Sequence, residues 1–183
     1  MSLSARTAVF VFPPTARIVK NVAVVGASEF PAGANAAAMD AIVDALYRHL
    51  VERISRRTAA EVHLVALGQP WIAHAAVRLL LARRVQGLTL ALPCEWDYRR
   101  GCFDDRPTDD QSAQMAAYLN RVHADFSAAV GADTLGEIHR ALMQEHVFVR
   151  TFATIDARSA YLALCPHLVA LTPPPKRREI VIR

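Results

Sequence analysis

The sequence predicts an α/β fold in three layers, with a mainly parallel central sheet between two layers of helices. Three apolar, strand-like runs, residues 22–25, 63–67 and 88–92, each end abruptly in a turn. Helically spaced apolar residues follow each of the first two runs, which is the β-loop-α repeat of a parallel sheet. Ligands of such sheets bind outside the carboxyl ends of the strands, so we expect the three turns to face one crevice.

Composition and charge narrow the class of protein. The 183 residues are 53% hydrophobic and 21% charged, which is typical of one globular domain covering residues 1–183. The net charge is only +4 and aromatic residues make up 7%, so nucleic-acid binding is not expected. No apolar run approaches the ~20 residues of a membrane span. Three cysteines without CxxC spacing are typical of reduced thiols, and we expect a cytoplasmic protein.

The first predicted elements are two strands of different kinds. Residues 8–12 form an apolar run that Pro13 and Pro14 close. Such a strand suits a sheet edge, or an arm within residues 1–20 that joins a partner chain in a homodimer. The run at 22–25 is continuous rather than alternating, as in a strand buried on both faces.

Two helices and a strand are predicted next. Apolar residues spaced three and four apart predict a helix over 35–57, with Asn35 near its start as a cap. The strand at 63–67 follows, and then a helix over 71–84. Pro70 precedes that helix, where a proline is tolerated.

The pattern breaks down after the third strand. Residues 94–131 are predicted as a polar, turn-rich loop followed by a helix that Gly131 ends. Thr134 and Glu137 have the spacing of a capping box and predict the start of another helix.

The last predicted elements are a helix, a strand and a tail. The helix is expected over 154–164 and a fourth buried strand over 168–171. The tail at 173–183 is rich in proline and basic residues, and its last residues, 179–183, are expected to form a short edge strand.

Three segments resemble the SLOG superfamily, a Rossmann-like group that includes DprA-type and LOG-type proteins. The first turn reads VVGAS at residues 24–28. The middle loop, residues 92–104, begins Leu-Pro and continues through Asp-Tyr-Arg-Arg to Phe-Asp, and residues 149–172 resemble the family's closing helix and strand. The likeness spans roughly residues 21–172 and implies a three-layer Rossmann-like sandwich.

The resemblance also implies a crevice for a nucleotide or a nucleotide-derived ligand, whose phosphates approach the backbone of small residues. The candidate ligand-binding residues are Gly26, Ala27, Ser28, Gly68, Gln69, Trp71, His74, Pro93, Glu95, Tyr98, Arg99, Arg150 and Thr172. The second loop departs from the family's Gly-Ala-x-Gly-x-Asp pattern, since residues 68–74 read GQPWIAH. The PGGxGTxxE signature is absent, which argues against LOG-type hydrolysis.

Each of these residues has a structural interpretation beside the functional one. The small residues 26–28 either cradle a phosphate or form a tight turn. Trp71 either stacks on a base or fills the core. His74 is either a base or anion contact, or a buried residue with its own partner. Arg150 either reaches a phosphate or lies on the surface.

Chemistry, if present, is expected in the middle loop. Glu95 and Asp97 could perform acid–base work on a glycosidic bond or hold a ribose hydroxyl; alternatively they pair with neighbouring arginines. Tyr98 and Arg99 either close this loop over a ligand or anchor it. Cys94 ends a strand where a nucleophile could lie, although no base is predicted beside it. No HExxH motif or His/Cys cluster occurs, so neither a metal nor another cofactor is predicted.

Three hypotheses of function remain open on these observations. The first is a module that binds or senses a nucleotide-like ligand at the strand ends. The second is a hydrolase of a nucleoside or nucleotide derivative. The third is a fold that has lost its ligand and serves protein–protein assembly through residues 8–12.

Overall fold

The computed structural model describes residues 19–26, 31, 33–55, 59–106 and 110–171, and a five-stranded parallel sheet lies at their centre. Numbered in chain order, the strands are β1 (Lys20–Gly26), β2 (Val62–Leu67), β3 (Gly87–Leu92), β4 (Trp96–Asp97), β5 (Cys102–Phe103), β6 (Val147–Thr151) and β7 (His167–Leu171). The central sheet has the order β6-β3-β2-β1-β7, and every adjacent pair is parallel. The short strands β4 and β5 form a separate antiparallel hairpin.

Helices cover both faces of the sheet. They are α1 (Ala36–His49), which continues into a π-helical turn (Leu50–Ser55), α2 (Ile72–Leu81), α3 (Asp110–Val130), α4 (Thr134–Leu142) and α5 (Ile155–Ala163). The chain places β1, β2, β3 and β6 in one direction across the sheet and then returns to place β7 beyond β1. Right-handed crossovers therefore place α1 to α4 on one face and α5 on the other.

The two faces carry cores of unequal size. Val22 and Leu90 belong to the main core, which packs against α1 to α4. On the opposite face, Ala23 and Val65 pack against Leu162 of α5 in a much smaller cluster. This arrangement confirms the predicted three-layer α/β fold with a parallel central sheet.

Some local predictions differ from the structure. The strand β6 was not predicted, because its sequence VFVRT is short and lies among polar residues. The expected buried strand at the end of the fold is β7, which lies at the sheet edge and leaves Leu168 exposed. The loop after β3 contains the β4–β5 hairpin, closed by a hydrogen bond from Gly101 N to Asp97 O of 2.8 Å.

The prediction of a capping box formed by Thr134 and Glu137 at the start of α4 is wrong. Asp133 is the N-cap, and its carboxylate accepts a hydrogen bond of 2.9 Å from Gly136 N. Thr134 is buried and bonds to His123 and Ser127 instead. Glu137 points away from the cap because its carboxylate pairs with side chains of α2.

Several predicted features lie outside the described residues. They are the strand at 8–12, the tail at 173–183, Ala27, Ser28 and Thr172. Within the described part of the chain, no helix is both long and apolar enough to cross a bilayer.

Candidate functional site

A cavity of about 730 Å³ opens at the carboxyl ends of β2, β3 and β6. Gln69 and Pro70 approach it after β2, and Pro93 approaches it after β3. The connection from β6 to α5 and one side of α3 complete its walls. The cavity therefore lies at the edge of the sheet where the parallel-strand pattern predicts a ligand crevice.

The loop between β6 and α5 places the amino-terminal end of α5 at this cavity. Phe152 N donates a hydrogen bond of 2.9 Å to Leu92 O, which ties the loop to the end of β3. Thr154 then caps α5 by accepting a hydrogen bond from Ala157 N. Residues 152–156 line the cavity, so the positive end of the α5 dipole faces it.

Arg158, in the second turn of α5, brings a buried positive charge to the cavity wall. The residue is 9% exposed, and its Nη1 atom is buried without a hydrogen-bond partner in the described part of the chain. No ion pair among the described residues involves it. Burial lowers the pKa of Arg158 from its usual value, but a guanidinium remains charged at neutral pH.

The thiol of Cys94 does not neutralise Arg158. Burial raises the pKa of Cys94 to about 11, the charge of Glu95 adds to this effect, and Arg158 opposes it. The thiol is therefore protonated at neutral pH and is a poor nucleophile. Among the described residues that line the cavity, Asp156 is the one carboxylate and Arg158 is the one cation.

Much of the remaining cavity wall is apolar. Its side chains come from α3, from the loop before α5 and from the first residue of α5. They are Met115, Tyr118, Leu119, Val122, Phe152 and Ile155. Gln111 and Ser112 add polar groups at the start of α3. The described lining of the cavity thus combines an apolar surface with one cationic side chain.

Of the predicted ligand residues that the structure describes, Gln69 and Pro93 line this cavity. Gly68 lies beneath it: its carbonyl accepts a hydrogen bond of 3.0 Å from His123 Nε2, and a side chain there would overlap Leu92. Gly26 has a packing role, since a Cβ atom would lie 2.6 Å from the Ile72 side chain.

Trp71 and His74 lie in the core rather than on the cavity wall. Trp71 is 1% exposed and packs edge-on against Phe126, with ring centroids 6.1 Å apart. Its φ of 71° is unusual for a bulky residue and turns the chain from β2 into α2. His74 is equally buried, with Nε2 2.6 Å from Glu137 Oε2. These positions agree with the structural interpretation of both residues.

Past its first two residues, the middle loop does not line the cavity. Asp97 accepts hydrogen bonds from Arg99 N (2.8 Å) and Arg100 N (3.1 Å) and contacts Arg106. Burial alone would raise the pKa of Asp97, but the backbone hydrogen bonds and the charge of Arg106 hold it below its usual range. Asp97 is thereby engaged in holding the hairpin turn, and Glu95 is exposed.

Other predicted contacts are also separated from the cavity. Tyr98 is half-exposed, and Arg99 lines a different depression of about 380 Å³ beside His139. Arg150 projects from β6 and lies over the ring of Tyr161, 5.5 Å from its centroid. Among the described residues, no cluster of three metal-ligating side chains occurs.

Arg158 is the residue that the sequence analysis missed. One local signal was available, because Arg158 follows the helix cap Thr154 by four residues. A cation near the start of a helix opposes the helix dipole, so its presence there calls for another reason. That the side chain is buried and faces a cavity depends on the neighbouring α3, which the local sequence does not reveal.

Comparison with known proteins adds a distant relative but no activity. No family model and no solved structure matches the chain. The chain is similar to an uncharacterised protein of Acanthamoeba polyphaga mimivirus, with 27% identity over 113 residues. The match covers 61% of this chain and 58% of the viral protein, so it spans less than two thirds of that relative. The likeness to the SLOG superfamily therefore stays a prediction.

Proposed function

We propose that the protein binds a small, anionic, nucleotide-like molecule in the cavity at the carboxyl ends of β2, β3 and β6. The observation that carries this proposal is the buried, unpaired Nη1 of Arg158 on the cavity wall. A buried charge without a partner is costly, and a bound anion would supply the missing hydrogen bonds. Guanidinium groups bind phosphate and carboxylate oxygens in pairs, which gives such a contact both strength and orientation.

The size and charge of the cavity favour a ligand with one anionic group. A volume of about 730 Å³ lies in the range of small-molecule sites. The lining that the structure describes has one cation, Arg158, and one carboxylate, Asp156, so it offers little compensation for a triphosphate. The start of α5 adds a favourable dipole for a single phosphate. The wall that includes Tyr118 and Phe152 suits a base or another planar ring.

The positions of the two candidate catalytic carboxylates favour binding over hydrolysis. Glu95 does not line the cavity, and Asp97 is engaged by its hairpin and by Arg106. Neither is placed as an acid or base for a molecule beside Arg158. Hydrolysis is therefore the secondary hypothesis, and turnover that Glu95→Gln abolishes would support it.

A thermal-shift comparison tests the binding proposal directly. Wild-type protein, Arg158→Met and Arg140→Met are each heated with nucleoside monophosphates, nucleoside triphosphates, nucleosides and inorganic phosphate. Arg140 is the matched control because it is an exposed arginine of α4 away from the cavity. A ligand at a hundred times its Kd should stabilise the wild type by about 2.7 kcal/mol.

The expected pattern is a clear rise in Tm with a monophosphate for the wild type and for Arg140→Met. Arg158→Met should lose that rise. A response of Arg158→Met equal to that of the wild type, or no response of the wild type to any anionic compound, would contradict the proposal.

A further inference from the structure

The face of the sheet that α5 covers is only partly covered within the described residues. Parallel sheets are normally buried on both faces. On this face α5 is the one described helix, and it is nine residues long. At the amino ends of the strands, the end opposite the cavity, a groove of about 360 Å³ remains open. Val19, His63, Thr89, Phe148, Leu164 and Cys165 line it.

Large apolar side chains stand exposed in and beside this groove. Phe148 of β6 is 57% exposed, and Leu164 at the end of α5 is 79% exposed. Leu168 of β7, on the same face, is 53% exposed. Such a group of exposed apolar side chains marks a surface that another element covers.

None of the described side chains that line the groove is an acidic or basic residue other than histidine. The Nε2 atom of His63 forms a hydrogen bond of 2.8 Å with Thr89 Oγ1, so these two polar groups satisfy each other. The His63 ring also lies against Phe148, with centroids 5.9 Å apart. The groove therefore suits an uncharged, apolar occupant rather than an acidic or basic one.

A strongly apolar segment of the sequence precedes the first described residue of this groove. Val19, the first described residue, lines the groove. Residues 8–12 read AVFVF, contain no charge, and end seven positions before Val19. Seven extended residues reach about 23 Å, which exceeds the width of four neighbouring strands at about 4.8 Å each.

We propose that residues 8–12 dock in this groove of the same chain and so cover the part of this sheet face that α5 leaves open. Their two phenylalanines would cover Phe148 and Leu164. Docking within one chain is favoured over docking by a second copy, because a short tether gives the segment a millimolar effective concentration. This inference concerns the opposite end of the sheet from the cavity and does not depend on the proposed ligand.

Cys165 makes a direct test available, since it lines the groove as a free thiol. Single substitutions Val9→Cys, Phe10→Cys, Val11→Cys and Phe12→Cys are introduced into the full chain with Cys102→Ser. Cys94 is left in place because it is buried. The proteins are exposed to oxidised glutathione, which accepts the two electrons released as two thiols become one disulfide. The products are separated on a non-reducing gel and mapped by peptide mass spectrometry.

At least one of the four variants should form an intramolecular disulfide with Cys165. Two matched controls, Phe10→Cys with Cys165→Ser and Met143→Cys with Cys102→Ser, should form none, since Met143 is exposed on α4's side of the fold. Disulfide-linked dimers through Cys165 would show that a second copy occupies the groove and would overturn the proposal. A yield no greater than that of the controls would overturn it as well.

A double-mutant cycle, measured as changes in Tm, tests the docking independently. Phe10→Asp with Phe12→Asp should lower Tm by roughly 5–10 °C, and Leu164→Asp should lower it by a similar amount. If the segment and the groove are in contact, combining the changes should cost little more than either alone. Met143→Asp serves as the control and should leave the effect of the segment substitutions unchanged. Full additivity between the segment and Leu164, or no effect of the segment substitutions, contradicts the docking.

Discussion

Arg78 and Arg158 lie on helices that flank opposite faces of one sheet. Arg78 forms an ion pair, and among the described residues Arg158 forms none. Arg78 of α2 donates from Nε to Glu137 Oε2 at 3.0 Å, and the same carboxylate binds His74 at 2.6 Å. Arg158 of α5 has no ion-pair partner among the described residues, although it is more than nine-tenths buried. One cation is neutralised inside the fold, whereas the other faces a cavity that an anion can enter.

The difference separates a structural role from a binding role. A buried ion pair contributes little net stability, but removing one partner is costly because a charge remains uncompensated. In the Arg78 cluster, which consists of His74, Arg78 and Glu137, the carboxylate partner comes from α4. It lies 63 residues after His74 in the sequence. At Arg158 the described residues supply none, which is why we assign the missing partner to a ligand.

Removing the partner of Arg78 should have the largest effect on stability. Glu137→Ala leaves His74 and Arg78 without their shared carboxylate, and the free energy of unfolding should fall by about 3 kcal/mol. Urea unfolding measures this change. Glu145→Ala is the matched control, an exposed carboxylate of the same region, and should stay within about 0.5 kcal/mol of the wild type. Equal losses of stability from the two substitutions would mean that the ion pair of Arg78 has no special structural role, which would contradict the contrast with Arg158.

The buried histidines His123 and His74 should make the free energy of unfolding depend on pH. Burial lowers the pKa of His123 to about 4, with the hydrogen bond to Gly68 opposing and the charge of His74 reinforcing the shift. His123 is therefore neutral in the folded state, while it binds a proton below about pH 6.5 in the unfolded chain. Its contribution to stability is fully present above pH 6.5 and is lost as the pH falls toward 4.

The expected loss is about 3 kcal/mol between pH 6.5 and 4, because each pKa unit corresponds to about 1.4 kcal/mol. Burial lowers the pKa of His74 as well, so its contribution changes in the same direction. Urea unfolding across this window, with His123→Gln beside the wild type, measures the contribution of His123. A wild-type stability that rises as the pH falls would contradict the assignment of a neutral His123.

Replacing the unpaired arginine should have the smallest effect on the free protein. Arg158→Met removes a buried charge and keeps an apolar chain of similar length, so stability without ligand should stay the same or rise by about 1 kcal/mol. Urea unfolding of ligand-free protein tests this expectation. A loss of more than about 2 kcal/mol would mean that Arg158 has a structural partner, and the contrast with Arg78 would disappear.

Much of the fold could be predicted because its signals are local. The continuous apolar runs ending in turns indicate parallel strands, and the spacing of apolar residues indicates helices. Both appear in the structure near their predicted positions, including α1, α2, α3 and α5. The expected crevice at the carboxyl ends follows from the same repeat, and Gln69 and Pro93, which follow two of those ends in the chain, line the cavity.

The errors arise where a residue's role depends on a distant partner. Thr134 and Glu137 have the spacing of a capping box, yet their side chains bond to α3 and α2, and Asp133 takes over the cap. The strand β6 is defined by its pairing with β3 rather than by its own short sequence.

The sequence by itself determined the parallel α/β architecture and the edge of the sheet at which a ligand would bind, because strand and helix periodicities are properties of neighbouring residues. Tertiary structure decided which side chains reach that edge. It buried Trp71 and His74, kept Glu95 and Arg99 away from the cavity, and brought Arg158 to its wall. The physical reason is that burial and charge pairing are set by residues far apart in the chain, so the local pattern around Arg158 does not reveal that its charge has no partner among the described residues.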